Sequence, residues 1–282
     1  MQRDAITQSG YAPAVVEATL DALLARRRPR RGAWLIGLSG LQGSGKSTFA
    51  AQLVGAARAR RIDTQALSLD DFYRGRRERA QLAREQHPLL LTRGVPGTHD
   101  IDLLQRTLDA LDTASPRQPA RVPRFDKGRD TRVAPSRWRR VLAPPALIVL
   151  EGWCLGVPAQ TVAALRRPLN TLERDDDRDA RWRSWVNAQL AGAYTRLWRR
   201  LDTLVLLQAP SFAVVSRWRD EQEQALRRRR APHALNAAAL AHFLMHYERL
   251  SRQALRELPP RADVRLVLDT DRGVRRLIDA RA

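Results

Sequence analysis

The sequence predicts an α/β fold, a mostly parallel sheet layered between helices. Three observations lead there. Short apolar runs alternate with stretches of helical periodicity, a glycine-rich turn joins the first run to the next helix, and acidic residues close the second and third runs. The 282 residues can bury a substantial core, and a hydrophobic share of 44% suits a globular chain. The reading is of one unit over 1–282, with an N-terminal helix, a core from about residue 33, and substrate-binding insertions at about 74–144.

Residues 13–27 carry apolar positions at helical spacing and form an amphipathic helix. Trp34–Ser39 is a buried strand, Gly40–Ser47 the turn, and Thr48–Arg60 a helix. Thr64–Asp70 is the second strand. Residues 74–98 are polar, contain Pro and Gly, and read as a long loop. Asp100–Leu111 is a helix with Asp100 and Asp102 at its positive end. Ser115–Pro144 is irregular. Ala146–Leu150 is the third strand, Arg181–Arg200 a long helix and Thr203–Leu207 the fourth strand. Phe212–Arg230 and Ala237–Glu257 are helices, and Val264–Leu268 is the fifth strand. Ligands of such a sheet bind at the carboxyl ends of its strands, so motifs after strands one, two and three open onto one crevice.

Composition removes several function classes. The single cysteine, Cys154, cannot form an intrachain disulfide. Apolar stretches such as Ala146–Leu150 fall far short of the roughly 20 residues that span a bilayer. The arginines of 26–31 before Ala33–Leu38 imitate an export signal, but that apolar run leads straight into the glycine-rich turn. These points place the protein in the cytoplasm with no membrane role. The net charge of +20 suggests nucleic acid, through runs such as Arg26–Arg28 and Arg227–Arg230. Yet Lys46 and Lys127 are the chain's two lysines, and the other 48 basic residues are arginine. A phosphate-backbone binder has no reason to avoid lysine, so the skew argues against nucleic acid as partner.

Gly40-Leu-Gln-Gly-Ser-Gly-Lys46-Ser47 fits G-x-x-x-x-G-K-[ST], with a strand before it and a helix after. The pattern predicts a P-loop NTPase, a three-layer sandwich with helical lid and insertions. Glycines 40, 43 and 45 let the backbone wrap phosphate, and the amides from Gly43 through Ser44 to Thr48 point inward. Lys46 reaches the β and γ phosphates of ATP, and the Ser47 hydroxyl ligates Mg²⁺. Asp70 and Asp71 close strand two, where a carboxylate can take a proton from an attacking hydroxyl or hold a Mg²⁺ water. Asp70 is the better placed, since it ends the apolar run. Glu151 follows strand three, the position of an acid that tunes Mg²⁺. Pro123–Arg132 packs Arg124, Lys127, Arg129 and Arg132 around Asp126 and Asp130, which suits a small acidic hydroxy substrate.

Taken together, GLSGLQGSGKST, LSLDDFY, RGVPGTHDIDLL, PRFDKGRDTR, VLEGW, WVNAQL and VVSRWRDEQE resemble the D-glycerate 3-kinase family of P-loop kinases, in that family's order over about residues 34–257. The wider group includes uridine kinases, pantothenate kinases and phosphoribulokinases. The resemblance implies ATP, Mg²⁺ and transfer to the 3-hydroxyl of D-glycerate. It implies Asp70 as catalytic base and Glu151 as the Mg²⁺-associated acid. His99 and Asp100 become a substrate-facing pair, with Tyr73 of LSLDDFY and Arg93 of RGVPGTHDIDLL beside them. Arg217 and Arg219 lie in a lid-side segment approaching the phosphates. The acidic stretch Asp175–Asp179 resembles the bacterial branch more than the plant enzymes. Oligomeric state is not read from the sequence.

Overall fold

The structure, a computed structural model, describes residues 10–28, 32–228 and 235–281. Positions 29–31 of the first arginine run, and positions 229–230 of the second run and its helix, lie outside the described residues.

The central sheet contains β1 (Trp34–Gly40), β2 (Thr64–Ser68), β7 (Leu147–Gly152), β8 (Thr203–Gln208), β9 (Val264–Leu268) and β10 (Val274–Asp279). Between the second and third of these, two small ribbons carry the rest: β3 (Ala120–Val122) with β6 (Arg139–Val141), and β4 (Phe125–Asp126) with β5 (Thr131–Arg132). The order across the sheet is β10-β9-β8-β1-β7-β2, with every pairing parallel except β10 against β9. The chain leaves β1 for the β2 side and later returns to the β8 side. The carboxyl end of β1 is therefore the switch point at which ligands bind such sheets. β1 and β7 are buried at every residue, as strands covered on both faces must be.

The helices are α1 (Pro13–Leu24), α2 (Lys46–Ala59), α3 (Arg76–Glu85), α4 (Ile101–Asp112), α5 (Val162–Leu165), α6 (Thr171–Asp175), α7 (Arg181–Gln189), α8 (Thr195–Trp198), α9 (Ala213–Arg228) and α10 (Ala237–Glu257). The long helix expected over 181–200 is α7 and α8 joined by a π-helical turn at Leu190–Tyr194.

Two elements depart from the sequence expectation. The loop expected at 74–98 contains α3, whose one fully buried side chain is a charged one, Arg79. Without an apolar stripe, hydrophobic periodicity has nothing to register. β10 is an arginine-bearing edge strand with no fully buried residue, and the same reasoning applies. The irregular segment 115–144 holds the two ribbons, whose strands of two and three residues are too short for any period to show.

Candidate active site

The turn between β1 and α2 is built by glycine. Gly43 and Gly45 adopt φ of +80° and +84°, the left-handed region that side chains disfavour. A Cβ on Gly43 would stand 2.6 Å from that of Trp218 on α9, so the residue also lets the loop pack against that helix. Gly40 ends β1, and the buried Ser44 donates its N–H to the Leu41 carbonyl at 3.2 Å. The amides of the first turn of α2 have no partner inside the helix, which suits an anion there. Lys46 folds back over the loop, Nζ donating to the Leu41 carbonyl at 3.0 Å. Burial pushes its pKa down, while the nearby carboxylates of Glu151 and Asp70 oppose that shift.

Parallel register sets Glu151 of β7 beside Ser68 of β2. Its Oε1 accepts from the Ser68 hydroxyl at 2.6 Å and the Ser47 hydroxyl at 3.0 Å, which ties the end of the sheet to the loop. β2 ends at Ser68 and not at Asp70 as expected; Asp70 lies two residues further on, in a 3₁₀ turn over Leu69–Phe72. Its Oδ1 accepts from the Tyr73 hydroxyl at 2.8 Å and its Oδ2 from Lys127 Nζ at 2.6 Å. Burial pushes the Asp70 carboxyl up. The charge and hydrogen bond of Lys127, with smaller help from His99 and Tyr73, outweigh it and hold the pKa at about 2. The same pairing raises Lys127. Asp71 has different work: its Oδ1 accepts from the Phe125 N–H at 3.0 Å, anchoring β4, and burial raises its pKa.

A cavity of about 690 Å³ collects many of the expected site residues. Gly43, Gly45, Lys46, Ser47, Thr48, Asp70, Tyr73, Arg93, Lys127, Glu151 and Arg219 all line it. Arg219 is held there by Gln222 at 2.6 Å and Glu223 at 2.7 Å. Other expected residues stand elsewhere. Arg217 turns to Asp271 at 2.8 Å and does not line the cavity. His99 is buried behind Tyr73, stacked on its ring with centroids 4.5 Å apart. One ring nitrogen meets the Tyr194 hydroxyl at 2.7 Å, and burial lowers its pKa to about 3, so it is neutral at physiological pH. Asp100 caps α4, accepting from the Leu103 N–H at 2.9 Å, and faces Arg132 at 3.4 Å.

The basic cluster at 124–132 divides in the same way. Arg132 donates to the Tyr73 carbonyl at 3.1 Å. Asp126 closes its own turn on the N–H groups of Gly128 and Arg129, both at 3.0 Å. Arg129 faces Asp126 at 3.8 Å with 79% of its side chain exposed, and Arg124 is exposed as well. Lys127 is the cation of this cluster that reaches the cavity. Its companion is Arg93, paired with Asp130 at 2.5 Å, and Asp130 is in turn bonded to the buried Arg79. Arg79 carries no sequence signal, being one arginine among 48. Tyr11, Trp153, Gln222, Tyr247 and Arg272 also line the cavity without having been expected there. Trp153 and Gln222 had a cue, as the tryptophan of VLEGW and the glutamine of VVSRWRDEQE.

No protein-family model matches the chain. It is similar to the uncharacterized kinase mug58 of Schizosaccharomyces pombe, 31% identical over 247 residues that cover 83% of this chain and 85% of that one. It is also 32% identical over 204 residues to the chloroplastic D-glycerate 3-kinase of Arabidopsis thaliana, covering 68% of this chain and 41% of the plant protein. Among solved structures, D-glycerate 3-kinase from Cryptococcus neoformans superposes with a TM-score of 0.76 over 94% of this chain and 99% of that one, at 20% identity, a likeness of fold.

Proposed function

The chain belongs to the D-glycerate 3-kinase family of ATP-dependent P-loop kinases, and from this we propose that it transfers the γ-phosphoryl group of ATP to the 3-hydroxyl of D-glycerate, giving 3-phosphoglycerate. The observation that carries the acceptor is the pairing of Lys127 with Asp70 at 2.6 Å inside the cavity of the phosphate loop. A carboxylate that must receive a hydroxyl proton is held beside a cation that a substrate carboxylate can claim.

Mg²⁺ belongs to the same proposal, because Ser47, Glu151 and Asp70 offer hydroxyl and carboxylate oxygens at the loop, the donors that cation prefers. Ser47 and Glu151 would hold it, and it would neutralise charge on the phosphoryl oxygens. The chain's own groups do the rest. The loop amides and Lys46 grip the phosphates, and Arg219 offers a guanidinium from the lid side. The acceptor carboxylate draws Lys127, with Arg93 beside it, away from Asp70. Asp70 then loses the charge that depresses its pKa and becomes a stronger base toward the hydroxyl it receives. Phosphoryl transfer needs positioning and charge neutralisation more than covalent chemistry, so no enzyme-bound intermediate is invoked.

No described helix is long and apolar enough to cross a membrane, and a cytoplasmic setting is part of this reading. The test is coupled ADP release with D-glycerate, glycerol, pantothenate and uridine as acceptors. D-glycerate should give the highest kcat/KM and glycerol, which lacks the carboxylate, a far lower one. Equal turnover of glycerol, or a preference for uridine, would sink the acceptor assignment.

A further inference from the structure

α3 buries a charge where most helices bury an apolar stripe. Its one fully buried side chain is Arg79, 1% exposed. Such a charge is costly unless it is paired and hydrogen-bonded. The Arg79 guanidinium meets that condition by reaching three segments. Nη1 donates to the Arg74 carbonyl at 2.7 Å, just ahead of the helix, and Nε donates to the Leu91 carbonyl at 3.1 Å. Nη2 donates to Asp130 Oδ2, its carboxylate partner.

Two of these contacts lead to the cavity's cations. Leu91 stands two residues before Arg93. Asp130 lies in the turn between β4 and β5 that also carries Lys127, and its Oδ1 accepts from Arg93 Nη1 at 2.5 Å. Asp130 has a φ of +52°, a conformation that costs a non-glycine residue free energy and persists where surroundings enforce it. Arg93 is held from its other side as well. The Tyr247 hydroxyl donates to its carbonyl at 2.8 Å, and its guanidinium lies 5.8 Å from the centre of the Phe125 ring. One carboxylate between two guanidinium groups cannot cancel both, so the trio keeps a net positive charge. Arg93 and Lys127 line the cavity, while Arg79 and Asp130 stand behind them.

We infer that Arg79 and Asp130 are positioning residues for the acceptor: Asp130 aims the Arg93 guanidinium at the acceptor carboxylate, and Arg79 fixes Asp130 and the backbone beside Arg93 from within the fold. A guanidinium that gives Nη1 to one carboxylate still has Nη2 and Nε to offer a second. Arg93 can therefore keep Asp130 while it binds the acceptor, whereas Lys127 must leave Asp70. α3 then governs the choice of an acidic acceptor without touching it. The inference rests on the proposed transfer to D-glycerate and adds to it the residues that hold the acceptor's cation in place.

Two variants of the full chain test it by coupled ADP release. Asp130→Asn keeps the side-chain shape and a residue type that tolerates positive φ, but offers one acceptor oxygen to two guanidinium groups. Arg79→Lys keeps the charge and loses the planar fork. Each should raise KM for D-glycerate by roughly three- to thirtyfold, with kcat and KM for ATP within about twofold of the parent. In an Arg93→Met background, Asp130→Asn should add less than about twofold, because the residue through which it acts is gone. Should the buried Arg79→Lys fail to fold, Asp130→Asn and the double variant decide the matter. An unchanged or lower KM for D-glycerate in Asp130→Asn, an equal rise in KM for ATP, or effects that multiply in the double variant would overturn the inference and leave D-glycerate as the acceptor. A parent chain inert toward D-glycerate would sink the acceptor assignment and this inference with it.

Discussion

Replacing Lys127 by Met tests the acceptor chemistry most directly. In the resting site Lys127 Nζ lies 2.6 Å from Asp70 Oδ2. A charge-assisted hydrogen bond contributes about 1.5–3 kcal/mol, and the acceptor carboxylate would lose a bond of that kind, so KM for D-glycerate should rise about ten- to a hundredfold. KM for ATP should stay nearly constant, since the loop grips the phosphates. The same change acts on Asp70. Its carboxyl is held at about 2 against an ordinary 3.8, worth about 2 kcal/mol at neutral pH. With Lys127 59% exposed and Asp70 30% exposed, solvent screening reduces this to about 1 kcal/mol.

The sign follows from linkage. A carboxyl depressed in the folded state stabilises the protein above its unfolded pKa, and that contribution disappears as pH falls through about 2. Lys127→Met removes the depression but leaves the burial that pushes Asp70 up. The acid limb of kcat/KM, which lies below about pH 4 in the parent, should therefore rise by about two pH units or more and come into view above about pH 4. Coupled ADP release from about pH 4 to about pH 9, with ATP, D-glycerate and glycerol varied in turn, reads both effects. If the KM for ATP climbs with that for D-glycerate, or the acid limb stays where it was, Lys127 does not serve the acceptor and Asp70 together.

Asp70→Asn should lower kcat by roughly 10²–10⁴, while Asp71→Asn, which keeps an amide oxygen to accept the Phe125 N–H, should cost less than about tenfold; the opposite ranking in single-turnover assays would reverse the two roles. Lys46→Met should abolish turnover without lowering the melting midpoint, because Lys46 lines an open cavity; full activity in the folded variant would remove the central claim. Arg219→Met should reduce kcat by roughly 10²–10³, whereas Arg217→Met should be nearly silent, as it faces Asp271; equal losses would place the phosphate contact elsewhere. Arg183→Lys should destabilise the fold by about 2–4 kcal/mol in denaturant titrations and leave KM for both substrates unchanged, since its guanidinium serves Asp177 at 2.7 Å and the Leu165 carbonyl at 2.8 Å in a buried site.

The strands of the parallel sheet were legible because burial on both faces demands unbroken apolar runs, and Trp34–Gly40 and Leu147–Gly152 supply them. Motifs at the ends of these strands were legible for the same reason: parallel register then forces Ser47, Ser68 and Glu151 together. What stayed hidden is whatever burial decides without an apolar signal. α3 turns Arg79 inward, and no hydrophobic period marks it. The cluster at 124–132 reads as a set of equivalent cations, yet the hairpin of β4 and β5 sorts them by side. The turn between β4 and β5 carries Lys127 into the cavity while Arg129 of the same turn stays in solvent, and Arg132 on β5 is drawn to Asp100 and the Tyr73 carbonyl. Sequence spacing shows which charges are near one another; only the folded turn shows which of them reaches the cavity.

The division of labour between arginine and lysine follows from their chemistry. A guanidinium presents several donors in a fixed plane, so one side chain can tie together groups from separate segments. Arg249 does this, reaching both Glu173 oxygens at 2.7 and 2.6 Å and the carbonyls of Ala164 at 3.0 Å and Arg167 at 2.8 Å. Arg79 and Arg183 do the same from buried positions. Such arginines are committed to internal partners, and their charge is not on offer to an external polyanion. An ammonium is a compact charge on a flexible stem, able to leave one partner for another. Both lysines line the cavity, and each rests on a partner that substrate can replace: Lys46 on the Leu41 carbonyl beside the phosphate loop, and Lys127 on Asp70. A chain that uses arginine nearly everywhere keeps lysine at the two cavity positions where, on this reading, the cation must exchange partners as the substrates bind.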